Sequence, residues 1–132
     1  MGTVFYESDY ALLTFYKQNN LLLLVWKSNS PSSEYKEVFI KSIGVATSNK
    51  VLYFVSDIRK EGAVSVENLR WLKEIVIPKA IDLGIKKIAL VLNEGLFSKI
   101  YADTIQMALD KSRIKINYFF KQEEAIDWVK IE

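Results

Sequence analysis

Val51-Leu52-Tyr53-Phe54-Val55-Ser56-Asp57 is the stretch on which the fold turns. Five apolar or aromatic residues follow one another without interruption, and a hydroxyl and an acid close the run. A strand with one wet face alternates apolar and polar side chains. An unbroken run of this length instead reads as a strand buried on both faces, the habit of a parallel sheet covered by helices.

Downstream, Ile58 to Val64 is polar, contains Gly62 and reads as a loop. Ser65 suits a helix N-cap, and Leu69, Leu72, Val76, Ala80 and Leu83 then recur at helical spacing. Pro78 lacks a backbone donor and disfavours helical geometry at Ile77, so a kink or break with a restart is expected there, and Gly84 is the stop. Lys86-Lys87 lead into a second buried strand, Ile88 to Leu92, and Asn93-Glu94-Gly95 make the turn after it. Phe97, Ile100, Tyr101, Ile105, Ala108 and Leu109 share one side of a further helix. A last strand, Ile114 to Phe120, precedes a last helix, Glu123 to Ile131, whose first turn carries two acids where the helix dipole favours them.

Upstream, Ser30 and Pro31 read as the cap and first residue of a helix whose apolar face is Tyr35, Val38, Phe39, Ile43 and Ala46, ending near Ser48-Asn49. Residues 10 to 17 and 21 to 27 are apolar and aromatic and flank Gln18-Asn19-Asn20; asparagine tolerates positive φ, so a hairpin is expected. A shorter strand over Thr3 to Tyr6 precedes it. The whole reads as one domain over residues 1–132, α/β in class. Its single mixed, mostly parallel sheet carries an N-terminal antiparallel hairpin and about four helices, in the order β-β-α-β-α-β-α-β-α.

Composition narrows the chemistry. Among 132 residues there is no histidine and no cysteine. Serine–histidine and cysteine–histidine nucleophilic pairs, structural zinc sites, redox dithiols and histidine-bound catalytic metals are therefore excluded. Eighteen basic and sixteen acidic residues leave a net charge of +2, without the concentrated positive field of a nucleic-acid binder. The longest apolar run, Leu21 to Trp26, is far short of the roughly 20 residues that span a bilayer, and the N-terminus lacks the pattern of a signal peptide, so a cytoplasmic location is expected. No Gly-x-Ser-x-Gly elbow, Gly-x-Gly-x-x-Gly turn or Gly-x-x-x-x-Gly-Lys loop occurs. Glu123 and Glu124 are adjacent and diverge on a helix, so they are dipole complements rather than an acid/base pair. No cofactor or metal is implied.

Three phrases, taken with the order of elements, resemble the SpoIIAA-like group of the STAS superfamily. They are the closing Tyr118-Phe119-Phe120-Lys121-Gln122-Glu123-Glu124-Ala125-Ile126-Asp127-Trp128-Val129, the strand lead-in Gly84-Ile85-Lys86-Lys87-Ile88-Ala89-Leu90-Val91, and Val51 to Arg59 with its strand ending in Asp57. The resemblance spans residues 10 to 130 and implies a regulatory or protein-interaction module without catalysis. In the anti-sigma-factor antagonists of that group, the acid-ended strand is followed at once by a phosphorylatable Ser or Thr at a helix N-terminus. Here Ile58-Arg59 follow Asp57, and Ser65 comes only after an inserted loop. Ser65 thus stands either as a phosphosite or as a plain N-cap. At the last helix, Lys121-Gln122 replace the acidic cap usual in the group.

Ligands of open α/β sheets sit beyond the carboxyl ends of the strands. Those ends carry Lys27, Ser28 and Asn29, then Asp57 and Arg59, then Asn93 and Glu94. This rim is the expected ligand or partner surface, against the plainer reading that Asp57 and Arg59 tie down a turn. Trp26, Trp71 and Trp128 are expected in the core. Seven Tyr, seven Phe and three Trp nevertheless exceed what one sheet and four helices need. Val4, Phe5, Tyr6, Tyr10, Phe15, Trp71 and Ile75 are the candidates for an exposed patch serving self-association or an apolar ligand. The expected function is a non-enzymatic module with a protein partner or self-association. The alternative is a carrier of a small apolar or lipid-like ligand, as in the related SEC14-like branch, and a carboxylate-based hydrolase or transferase comes third.

Overall fold

The chain opens with three strands, β1 (Thr3–Glu7), β2 (Ala11–Tyr16) and β3 (Leu21–Trp26), in a computed structural model that describes residues 2–131. Alternation follows: α1 (Ser32–Ser48), β4 (Tyr53–Asp57), α2 (Val66–Trp71), a π-helical turn (Leu72–Val76), α3 (Ile77–Asp82), β5 (Lys87–Val91), α4 (Leu96–Leu109), β6 (Lys115–Phe119) and α5 (Gln122–Lys130). The six strands form one sheet in the order β1-β2-β3-β4-β5-β6. β1, β2 and β3 are antiparallel neighbours, and β3 to β6 run parallel. The expected hairpin joins β2 and β3, and Asn20 takes the left-handed conformation (φ 53°) that the turn requires.

Because the strand order never reverses and crossovers are right-handed, successive crossover helices fall on the same face of the sheet. α1, the α2–α3 rod and α4 accordingly share one large core with Leu13, Leu22, Leu24, Trp26, Ile88 and Leu90. Trp26 stacks on Tyr35 of α1, ring centroids 5.5 Å apart and 13° from parallel. The opposite face carries α5 alone, whose Ala125 and Val129 cover Leu21, Leu23, Val55, Ala89 and Val91. β4 therefore has cores on both sides, as its apolar run requires: Val55 belongs to the α5 core and Phe54 packs against the other.

Local expectations change at the start of α1 and at Pro78. Ser30 does not cap α1; Pro31 occupies the cap position and no side chain bonds the first turn. At Pro78 the helix restarts as expected, α3 beginning at Ile77, but the backbone is not broken, since Val76 and Ile77 keep helical dihedrals. The π-helical turn just before it, closed by the Ile77 N–H donating to the Leu72 carbonyl five residues back, takes up the irregularity that a missing donor and a bulky ring impose. Gly84 (φ 83°) ends the rod as expected. Of the aromatic candidates, Phe15 is a core residue, Tyr6 and Tyr10 are half-buried, and Trp71 packs its ring against Phe39 at 6.4 Å. Val4, Phe5 and Ile75 are exposed. Trp26 is fully in the core, and Trp128 lies half-buried against Phe119. Among the described residues no helix is long and apolar enough to cross a membrane.

Candidate functional site

The carboxyl ends of β4, β5 and β6 meet at one rim, and Asp57 is its centre. Asp57 is 3% exposed, and its carboxylate accepts four hydrogen bonds. Three come from Arg59, from the backbone N–H (3.2 Å), Nε (2.9 Å) and Nη2 (2.6 Å); the fourth comes from Gln122 Nε2 of α5 (3.1 Å). The two-pronged pairing with Asp57 holds the Arg59 guanidinium still further into its charged range, against the opposing effect of partial burial. The Arg59 carbonyl accepts from Asn93 Nδ2 (2.7 Å), while Asn93 Oδ1 accepts from the Gly95 N–H (2.7 Å) and the Asn93 N–H donates to Ser98 Oγ (3.2 Å). Asp57, Arg59 and Asn93 are thus one network that ties three connections together.

The other expected rim residues stand apart from it. Glu94 is exposed. Lys27 turns toward the first strands, donating to Glu7 Oε2 (3.0 Å) and the Ser8 carbonyl (2.8 Å). Asn29 grips the loop after β4, its Nδ2 donating to the carbonyls of Glu61 (2.7 Å) and Ala63 (2.9 Å). That close approach is possible because residue 62 is glycine at φ 75°, where a side chain would crowd Asn29.

The connection after β5 turns onto the α4 face, whereas the connection after β6 turns onto the α5 face. Between such diverging connections an open α/β sheet ordinarily leaves a crevice. Gln122 reaches from the connection after β6 across the end of β5 to Asp57 at the end of β4, and with Arg59 it closes the carboxylate off from solvent. Beside exposed Glu94 and Lys121 on the same connections, three apolar side chains face solvent: Leu96 is 68% exposed, Phe97 59% and Phe120 61%.

A second feature lies beneath the loop between β4 and α2, a polar cleft of about 130 Å³ lined by Asn29, Ser30, Ser32, Tyr35, Glu61, Ser65 and Asn68 with Ala63 and Val64. Its central residue, Glu61, carries no distinguishing sequence signal and is 2% exposed. Burial without a compensating bond pushes the Glu61 carboxyl well above the ordinary carboxylate range, and Oε2 has no hydrogen-bond partner. Tyr35 and Tyr101 donate between themselves nearby (3.1 Å). Both hydroxyls are pushed well up, by burial first and also by the charge of Glu61. Ser65 caps α2, its Oγ accepting from the Asn68 N–H at 3.1 Å. Asn68 Nδ2 donates to the Ser32 carbonyl (3.4 Å), and its Oδ1, also buried, has no partner. Little in the sequence marks this cluster; Gly62 beside Glu61 is the one hint of a tight reversal.

A third feature is an apolar cavity of about 70 Å³ between α1, α3 and the sheet, bounded by Phe39, Ile43, Val76, Ile77, Leu83 and Ile85 among others. Among the described residues no group of three or more acids, histidines or cysteines is arranged to hold a metal ion.

Comparison places the architecture. The chain is similar to an uncharacterized protein of the DUF3478 family with a SpoIIAA-like fold from Shewanella loihica PV-4, with a TM-score of 0.59 and 12% identity over 98% of this chain and 92% of that one. The chain has a SpoIIAA-like fold. No family model and no curated protein matches the sequence.

Proposed function

We propose that the chain is a non-enzymatic regulatory or protein-interaction module that engages a protein partner, or a second copy of itself, through the carboxyl rim of its sheet. The observation behind this reading is the closed point at Asp57. Arg59 and Gln122 hold both oxygens of the buried Asp57 carboxylate, and apolar side chains at Leu96, Phe97 and Phe120 face solvent at the same edge of the sheet. Aromatic anchors within a polar rim are the usual composition of a contact surface. The SpoIIAA-like fold supports the same reading. A carrier of lipid-like molecules would require the helices over the apolar cavity to part, because its volume of about 70 Å³ is well below the roughly 300 Å³ of small ligand pockets.

The test is affinity isolation from the native host in parallel with sedimentation velocity, on the wild type and on Leu96→Asp, Phe97→Asp and Phe120→Asp. The reading expects a reproducible partner or a concentration-dependent dimer that these substitutions abolish while the thermal midpoint stays within a few degrees. A strictly monomeric chain that returns no partner, or a complex indifferent to all three substitutions, would refute it.

A further inference from the structure

We propose that the cleft beneath the β4–α2 loop is a binding site for a primary ammonium group, with Glu61 and Asn68 supplying the acceptors. The argument is independent of the rim. Two acceptor oxygens, Glu61 Oε2 and Asn68 Oδ1, line the same cleft, belong to residues only 2% and 3% exposed, and have no donor. Buried acceptors are ordinarily satisfied, and each one left without a donor is destabilising. The missing component is therefore a donor-rich group. The lining contains one acid and no lysine or arginine, so charge complementarity asks for a single positive charge. A volume of about 130 Å³ admits an alkylammonium headgroup, and the exposed positions of Asn29, Ser32, Ala63 and Ser65 give it a way in from solvent.

One effect opposes a cation: α1 and α2 both begin at this cleft, and a helix N-terminus carries positive partial charge. At α2 that end is partly neutralised, since Ser65 Oγ already accepts from the first turn. The buried Glu61 carboxyl gives up its proton only as the ammonium enters, so the bound pair sets one full carboxylate charge against about half an elementary charge from each terminus, the α2 end being partly offset. Two sources offer the same chemistry, a free small amine and the side chain of a partner's lysine.

The experiment follows backbone amide shifts of residues 58–68 by NMR during titration with methylammonium, with the amide-blocked amino acid N-acetyl-lysine methylamide, and with tetramethylammonium and potassium at equal ionic strength. Saturable shifts with either primary amine, absent with tetramethylammonium and potassium and weakened at least about tenfold in Glu61→Gln, are expected from a site built on charge-assisted hydrogen bonds. Tighter binding of methylammonium identifies the free amine as the natural source, and tighter binding of the lysine derivative identifies a partner side chain. Equal responses to all four cations, no saturable response to either amine, or unchanged binding in Glu61→Gln would overturn the proposal and leave a cleft holding water alone. Glu61→Gln preserves shape, and Asn68→Ala serves as the second variant should the first alter the fold. Rim substitutions such as Phe97→Asp are expected to leave amine binding intact, so failure here is separable from failure of the rim interaction.

Discussion

Glu61 makes the sharpest statement at the scale of single residues, because burial raises its carboxyl above the ordinary value of 4.5. Below that value folded and unfolded chains are both protonated, and the group is neutral to stability. As pH rises from there toward the folded value, the unfolded chain releases a proton that the folded chain keeps, so stability is lost progressively. Tyr35 and Tyr101, the titratable groups coupled to it, are pushed upward and remain protonated throughout this window. Glu61→Gln should therefore stabilise the protein at pH 7 and change little at pH 4. Urea midpoints of both proteins at the two pH values test this, and an equal difference at both would contradict the assignment. Arg59→Ala has the opposite sign. It removes two of the four hydrogen bonds to a carboxylate that is 3% exposed, leaving those from Gln122 and the backbone N–H. With the exposed guanidinium end discounted for screening, a loss of about 1–2 kcal/mol is expected from chemical denaturation. Asp57 and Arg59 were legible in sequence because they end an apolar run. Glu61 was not: Arg59, Lys60 and Glu61 are three consecutive charges, and which one turns inward is decided by Gly62 and by the grip of Asn29, 32 residues away.

Elements were legible where their signals are local and lost where they depend on neighbours. Ser65 at the start of α2 is local chemistry, and its Oγ bonds the Asn68 N–H as capping requires. Ser65→Ala should lower stability by about 1 kcal/mol, and Ser65→Asp, which retains an acceptor, should recover most of it. Thermal melts of the three proteins decide the matter, and a neutral alanine variant would show that the cap contributes nothing. Pro78 illustrates the other case. Its missing donor and ring predict a kink or break with a restart, and α3 does restart at Ile77, but the backbone stays helical across the junction, where Ile77 reaches back five residues to Leu72 and the widened turn buries Leu72 and Val76 against the sheet. Tertiary burial holds a backbone that local preference alone would interrupt. At α5 Gln122, the first helical residue, has a role that no local reading supplies: its side chain leaves its own helix and bonds Asp57.

For the molecule as a whole, alternation of strand and helix was readable from residue 21 onward, whereas strand order was not, because neighbours in a sheet are chosen by which faces fit. The observed sequential order has a mechanical consequence. Three crossover segments stack on one face, and the second core depends on a single nine-residue helix, α5. Its Ala125 and Val129 are fully buried over Leu21, Leu23, Val55, Ala89 and Val91, which belong to the three central parallel strands. A terminal helix would ordinarily fray at little cost to the rest. Here detachment uncovers the middle of the sheet, and Lys87 further fastens the helix end, its Nζ donating to the Trp128 carbonyl (3.0 Å) and lying 4.9 Å from the Trp128 ring centre. Amides in the middle of α5 should therefore exchange with solvent only through global unfolding, at the same free energy as β4 and β5. Val129→Ala removes two buried methyl groups and should lower that shared free energy by about 1–3 kcal/mol, measured equally at the helix and at the central strands. If α5 amides instead exchange at a lower free energy, or Val129→Ala shifts the helix without shifting the strands, the helix is an independent unit, and its Gln122 would no longer hold the Asp57 rim in place.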